Sequence, residues 1–187
     1  MTEAAARAGA VPSLLTASAV VVLVGAAASG KTTLRRQLAA SGTAPSAVIS
    51  LDDERLALRE RDLAVGREPR ELQDYSWAAV QRSDEAAREL LSRGLGYIAD
   101  ATHLRRRERV PHLRDAHAAG LVAIAMLLPA VPLDVLRERN TRRPAFRRVP
   151  DDILERHAHR RSLLTPELLL EEGFDQVVEA GDHDAIG

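Results

Sequence analysis

The sequence predicts an α/β domain in which a parallel sheet of about five strands is flanked by helices. Short apolar, β-branched runs alternate with longer helical patterns, the order produced when each strand returns to the sheet through a helical crossover. The first run, Ala19 to Val24, is apolar at every position, as a strand covered on both faces requires. A small-residue segment, Gly25-Ala-Ala-Ala-Ser-Gly30-Lys31-Thr32, then joins that strand directly to a helical pattern.

The length of 187 residues suits one domain with a full core, and 45% of the residues are apolar. Residues 1–17 are Ala-rich and are expected to form a loose arm, leaving 18–187 as the domain. A net charge of -1 gives no overall attraction to nucleic acid or to an anionic membrane, so any basic site must be local. The absence of cysteine excludes disulfides and thiolate metal sites and fits a reducing cytoplasm. Ala10 to Ala28 is apolar but is not read as a signal peptide. Only Arg7 against Glu3 precedes it, and Pro12 and Gly25 interrupt it. No other stretch approaches membrane-spanning length, and no repeat or linker divides the chain.

Taken in order, further strands are expected at Ala47 to Leu51, Gly96 to Ala99, Leu121 to Leu128 and Gln176 to Val178. Helical patterns run over Lys31 to Ala40, closed by Gly42, and over a short Asp53 to Arg61. A long one covers Gln73 to Arg93 and stops at Gly94. Leu104 to Ala119 follows a Thr102 cap and ends at Gly120, and Val131 to Thr141 and Asp151 to Arg161 come next, with a turn near Pro166 to Glu172. In such sheets ligands gather at the carboxyl ends of the strands, so the residues that follow each strand are the informative ones.

The segment after the first strand reads G-x-x-x-x-G-K-T between a strand and a helix, the context a P-loop needs. Small residues at Gly25 and Gly30 let backbone N–H groups curl around phosphates, and the helix start adds its positive dipole end. Lys31 is placed to bridge the β- and γ-phosphates, and the Thr32 hydroxyl to ligate magnesium. Ser29 and Thr33 supply further hydroxyls. Lys31 is the only lysine in a chain that otherwise writes arginine for positive charge. A position that keeps lysine needs a compact ammonium rather than a planar fork.

The second strand leads into Asp52-Asp53-Glu54-Arg55. A carboxylate here faces the γ-phosphate crevice, where phosphoryl transfer needs a group to orient the attacking hydroxyl and take its proton. Asp52 also suits the helix N-cap, and both roles can coexist. Arg55, one turn on, is placed for a phosphate of the acceptor. Asp100 follows the third strand, facing either the magnesium shell or a neighbouring active-site group. His103 reads as a surface or capping histidine, and the six histidines show no metal-ligand clustering.

Nine arginines fall between Arg137 and Arg161, against Glu138, Asp151, Asp152 and Glu155. With Pro144 at its centre, 137–161 reads as a helix-loop-helix lid that closes over a polyanion, its arginines stabilising charge in the transition state. Arg156, Arg160 and Arg161 are explained well enough as a solvated face, and so is the run Arg105 to Arg109.

These motifs together resemble the 5′-hydroxyl polynucleotide kinases of the phage and bacterial RNA-repair type. The resemblance runs in order from about Val20 to Arg161. It rests on Gly-x-x-x-x-Gly-Lys-Thr-Thr, Leu-Asp-Asp-Glu-Arg, Asp-Ala-Thr-His and Arg-Glu-Arg-Asn-Thr-Arg-Arg followed by Val-Pro-Asp-Asp-Ile-Leu. It implies an adenylate-kinase-like fold and transfer of the γ-phosphoryl group of ATP, or another nucleoside triphosphate, with Mg2+ to the 5′-OH end of RNA or DNA. It implies Asp52 as general base, Arg55 as a contact to the acceptor's phosphate and Asp100 as an essential carboxylate. Arg139 and Arg143 would reach the donor phosphates from the lid. Aromatic residues are scarce for stacking bases, with Tyr75, Trp77 and Phe146 the ones placed for it. A kinase of the same fold acting on a sugar, nucleoside or antibiotic is the alternative, and a nucleotide-dependent switch without transfer is a third reading.

Overall fold

The computed structural model describes residues 18–42 and 44–181, so the expected arm at 1–17 lies outside the described residues. Ala19–Val24 form strand β1, and none of the six residues has exposed surface. Burying a Val or Leu side chain fully is worth about 1.5–3 kcal/mol, so this strand anchors the core. Helix α1 (Lys31–Ser41) follows and ends at Gly42 in the left-handed conformation. Then come β2 (Val48–Ser50), α2 (Leu51–Ala64), α3 (Ser76–Ser92) and β3 (Tyr97–Asp100). The second half contains α4 (Arg106–Ala118), β4 (Val122–Leu127), α5 (Leu133–Thr141), α6 (Asp151–Ser162), α7 (Pro166–Glu171) and β5 (Gln176–Glu179).

The five strands form one parallel sheet in the order β2-β3-β1-β4-β5. Side chains of a strand alternate between faces, and β1 sorts accordingly. Val20, Val22 and Val24 join Leu113 and Ala116 of α4 and Leu169 of α7 on one face. Ala19, Val21 and Leu23 pack against Leu34 and Leu38 of α1 on the other. With β3 on one side of β1 and β4 on the other, the strand order reverses at β1. Its carboxyl end opens onto the crevice where ligands of such sheets bind. Among the described residues no helix is long and apolar enough to cross a membrane.

Several boundaries differ from the sequence expectation for local reasons. Leu51 begins α2 rather than ending β2, because the Ser50 hydroxyl accepts from Asp53 N–H at 3.3 Å and caps the helix there. Asp52 therefore does not cap it, and α2 runs well beyond the short segment expected. The helix expected from Gln73 opens as a 3-10 turn, Leu72–Tyr75, before α3. Thr102 caps nothing. The start of α4 is held instead by Glu108, whose carboxylate accepts from Arg105 N–H at 3.2 Å. The expected turn at Pro166 is the helix α7, with the Thr165 side chain accepting from Leu168 N–H.

Two arginines expected on solvated faces are buried. Arg109 is 1% exposed and donates to both Glu172 carboxylate oxygens and to His103 O. Arg161 is buried too and donates to Leu128 O and Leu164 O. A helical period locates a face, but it does not say whether a carboxylate or carbonyl from a distant segment waits opposite.

Candidate active site

The segment after β1 is held from both ends. Gly25 N–H donates to Thr102 O at 3.0 Å, and Ser29 N–H to Ala26 O at 3.3 Å. A Cβ on Gly25 would stand 2.8 Å from Ser29 Oγ and 3.0 Å from Leu128 Cβ, so a side chain there would press into the loop. Gly30 adopts φ 100° and Ala28 φ 63°, the left-handed turns that curl the loop before α1. Ala26, Ala27 and Ala28 are buried against Leu136 of α5 and Leu154 of α6. Their small side chains thus seat the lid helices directly on the loop.

Two features fit this loop to an anion. Ser29 Oγ is buried and has no hydrogen-bond partner, and a buried hydroxyl left alone is costly unless a ligand completes it. Lys31 Nζ donates back to Gly25 O at 3.0 Å and to Ala26 O. Burial pushes the Lys31 ammonium down to about 8, with Asp100 and Asp52 opposing that shift and Arg143 reinforcing it. The three charges that act on Lys31 come from β3, α2 and the lid, so the structure brings these predicted residues around one ammonium. Thr32 and Thr33 lie exposed on the first turn of α1.

On the facing side, Arg55 Nη1 donates to Asp52 Oδ1 at 2.7 Å and Arg55 Nε to Ser76 Oγ at 3.1 Å. The Asp52 side chain is 82% exposed at the mouth, while Arg55 is sheltered. Asp100 is engaged by an arginine outside the predicted set: Arg35 Nη1 donates to Asp100 Oδ2 at 2.9 Å and to Asp53 Oδ2 at 2.7 Å. Burial raises the Asp100 carboxyl above its usual range, against the pull of Arg35 and Lys31. Arg35 lies four residues after Lys31 on α1, a helical spacing that makes the two neighbours on one face. That signal was present in the sequence.

His103 is neither on the surface nor a cap. It is 5% exposed, has φ 45°, and its Nδ1 lies 2.9 Å from Leu23 O, so it sits as a donor to that carbonyl. It stacks edge-on against His112 at 5.0 Å, and His112 Nδ1 meets Tyr97 O–H at 2.9 Å. Burial lowers His103 to about 3 and His112 to about 4, so both are neutral near neutral pH. This network braces the end of β1 just ahead of the loop.

The segment expected as a lid is a helix pair, α5 and α6, tied together by its own side chains. Asn140 Nδ2 donates to Val149 O at 2.9 Å, and Val149 N–H returns to Asn140 Oδ1 at 3.1 Å. Arg137 ties α5 to Asp151 at 2.7 Å and to Glu155 at 2.6 Å, which makes it structural. Phe146 at the tip, 52% exposed, has the Arg59 and Arg147 guanidinium groups each 5.9 Å from its ring centre, so the tip reaches across to α2. Arg139 lies half-buried on α5. His157 of α6, which no sequence signal marked, lies near enough to Lys31 to feel its charge, and burial lowers it to about 4.

Of the aromatics placed for stacking, Tyr75 is buried and donates its O–H to Asp62 at 2.8 Å, so it offers no face to a base. Trp77 remains 74% exposed.

The AAA domain family profile matches residues 20–164, and the chain belongs to that family. Its fold is the P-loop kinase fold, a parallel five-stranded sheet flanked by helices. A gluconokinase from Sinorhizobium meliloti 1021 is 20% identical, with 87% of this chain and 82% of that one covered and a TM-score of 0.50. A chain of the PezAT chromosomal toxin–antitoxin system of Streptococcus pneumoniae is 15% identical, with 88% and 67% covered and a TM-score of 0.54. Comparison with curated protein sequences finds no match.

Proposed function

We propose that this AAA-domain protein is an ATP- and magnesium-dependent phosphotransferase that moves the γ-phosphoryl group onto a hydroxyl of a small acceptor, such as a sugar, nucleoside or antibiotic. The observation that carries this reading is the phosphate loop whose buried Lys31 lies near enough to Asp100, Asp52 and Arg143 to feel their charges. A switch that only binds nucleotide has no use for an exposed carboxylate opposite the phosphate loop.

In this reading the loop amides and the Ser29 hydroxyl cradle the donor's phosphates, and Lys31 leaves Gly25 O and Ala26 O to neutralise their charge. Among the described residues no three acidic, histidine or cysteine side chains stand together for an ion. Thr32 is the hydroxyl that would hold the magnesium ion of the donor nucleotide. When bound, that ion draws charge from the phosphate oxygens. Asp52 accepts the proton of the acceptor hydroxyl as its oxygen bonds to the γ-phosphorus and the bond to the leaving nucleoside diphosphate breaks. Arg55 holds Asp52 in place and, within this class, would favour an acceptor that carries an acidic or phosphorylated group. Arg139 and Arg143 approach the phosphates from the lid.

Acceptor size separates this from a polynucleotide 5′-hydroxyl kinase. Tyr75 is buried, which removes one of the three aromatics available for stacking bases. The fold shared with gluconokinase also supports the small acceptor. Transfer to a nucleic acid 5′-OH end is the second reading, supported by the ordered Asp-Asp-Glu-Arg and Arg-Asn-Thr-Arg-Arg motifs.

The test is incubation with magnesium and ATP labelled at the γ-phosphate, using sugars, nucleosides, aminoglycoside-type antibiotics and a 5′-hydroxyl oligonucleotide in parallel. Label on a small molecule supports the proposal. Label on the oligonucleotide alone establishes the second reading, and nucleotide binding with no labelled product would leave only a nucleotide switch.

A further inference from the structure

We infer that Arg35 is a positioning residue that sets the separation between the proton acceptor Asp52 and the phosphate loop, by pinning the first turn of α2 and the end of β3 to α1. The inference rests on the proposed transfer and adds a residue and a role to it.

The sheet order explains why such a tie is needed. β1 and β2 are not neighbours, because β3 lies between them. Strand hydrogen bonds fix Ser50 opposite Asp100, so the start of α2 is registered to β3. They do not register it to α1, which carries Lys31. Arg35 adds a direct side-chain link from α1 to both α2 and β3, through one atom. Its Nη1 donates to Asp100 Oδ2 at 2.9 Å and to Asp53 Oδ2 at 2.7 Å. Asp53 is the residue after Asp52, so holding its carboxylate fixes the rotation of the helix turn that presents Asp52.

Charge works in the same direction. Asp52, Asp53 and Asp100 are mutually repulsive, and Asp52 and Asp53 both push the Asp100 carboxyl upward. The Asp100 and Arg35 side chains are 11% and 19% exposed, so their pairing is weakly screened, while Asp53 at 51% is the solvent-facing arm. Without a cation at this point the three carboxylates would spread, and α2 would move away from the loop. A one-ångström displacement of a reacting group costs on the order of a hundredfold in rate.

The test uses the full chain with Arg35→Gln, Asp53→Asn, the double substitution and Arg35→Lys. With an acceptor in hand, Arg35→Gln is expected to lower kcat on the order of a hundredfold while nucleotide Kd stays unchanged. The double variant should be no worse than Arg35→Gln alone, because both remove one link. Arg35→Lys should restore part of kcat. NMR supplies a readout that needs no acceptor. Arg35→Gln should shift the Asp52 backbone amide and raise the carboxyl titration of Asp100. Should Arg35→Gln fail to fold, Asp53→Asn removes only the exposed arm and should still move the Asp52 amide. Additive losses in kcat, or Asp52 and Asp100 signals that ignore both substitutions, would overturn the role. If the wild-type chain labels no acceptor the proposed transfer fails, and the NMR signals still decide whether Arg35 holds both elements.

Discussion

The Asp52 carboxylate lies 2.7 Å from the Arg55 guanidinium across one turn of α2, while the cap of that helix is a different residue, Ser50. Capping the helix and pairing with Arg55 thus fall to separate side chains, which leaves Asp52 available for the proposed proton transfer. Asp52→Asn is therefore expected to leave the thermal midpoint nearly unchanged, since Ser50 still caps and the Arg55 pair is exposed on the Asp52 side. Phosphoryl transfer should fall by about 10²–10⁴, the usual worth of a positioned proton acceptor. Paired melting curves and single-turnover assays check this, and undiminished transfer would remove Asp52 from the chemistry.

Lys31 should make nucleotide binding sensitive to alkaline pH. The free protein's ammonium titrates at about 8 because it is desolvated. Bound phosphates favour its charged form and raise that value, so the complex holds a proton that the free protein gives up above pH 8. Kd should accordingly be flat below about pH 7.5 and then rise by up to about tenfold per pH unit above 8. Titration of a fluorescent ATP analogue with magnesium from pH 7 to 9.5 measures this. Lys31→Arg, charged throughout, should bind more weakly but with a flat profile, and Lys31→Ala should abolish turnover with the fold intact.

The paired histidines predict loss of stability in acid. His103 and His112 titrate at about 3 and about 4 in the folded chain, against about 6.5 when unfolded. As pH falls below 6.5 the unfolded chain takes up protons that the folded chain refuses. Their stabilisation is therefore complete above 6.5 and drains away down to about pH 4 for His112 and about pH 3 for His103, by at most ~1.4 kcal/mol per pH unit for each ring. Urea unfolding at several pH values should show this slope, and His103→Gln should reduce it by about one proton's worth. An unchanged slope in that variant would contradict the burial assigned to the ring.

The Arg109–Glu172 pair ties α4 to the segment after α7 through a 1% exposed guanidinium and an 8% exposed carboxylate. Removing one partner strands the other's charge in the interior, so Glu172→Gln is expected to cost about 3–5 kcal/mol. Arg109→Met together with Glu172→Leu should recover most of that loss, since no charge is left behind. Denaturant midpoints of the three variants decide it, and additive losses in the double variant would count against a paired, desolvated interaction.

The alternation of strands and helices was legible because it depends on local periodicity. β1 matches its expected span of Ala19–Val24, and α1 starts at Lys31 as expected. The G-x-x-x-x-G-K-T spacing located the phosphate loop for the same reason, since a strand, a tight turn and a helix start all lie within a few residues. The helix face shared by Lys31 and Arg35 was legible as well, although the partners of Arg35 were not.

Only the tertiary structure decided which charges are buried and whom they meet. Arg105, exposed in part, and Arg109, fully enclosed, belong to one basic run, and what separates them is Glu172, 63 positions away. Tyr75 looked available for stacking until Asp62 drew its hydroxyl inward. Asp100 and Asp53 became a pair through Arg35, across a sheet whose strand order no local pattern encodes. Periodicity is a property of neighbours along the chain, whereas desolvation and ion pairing depend on neighbours in space, and it is the second kind that sets the electrostatics of the crevice.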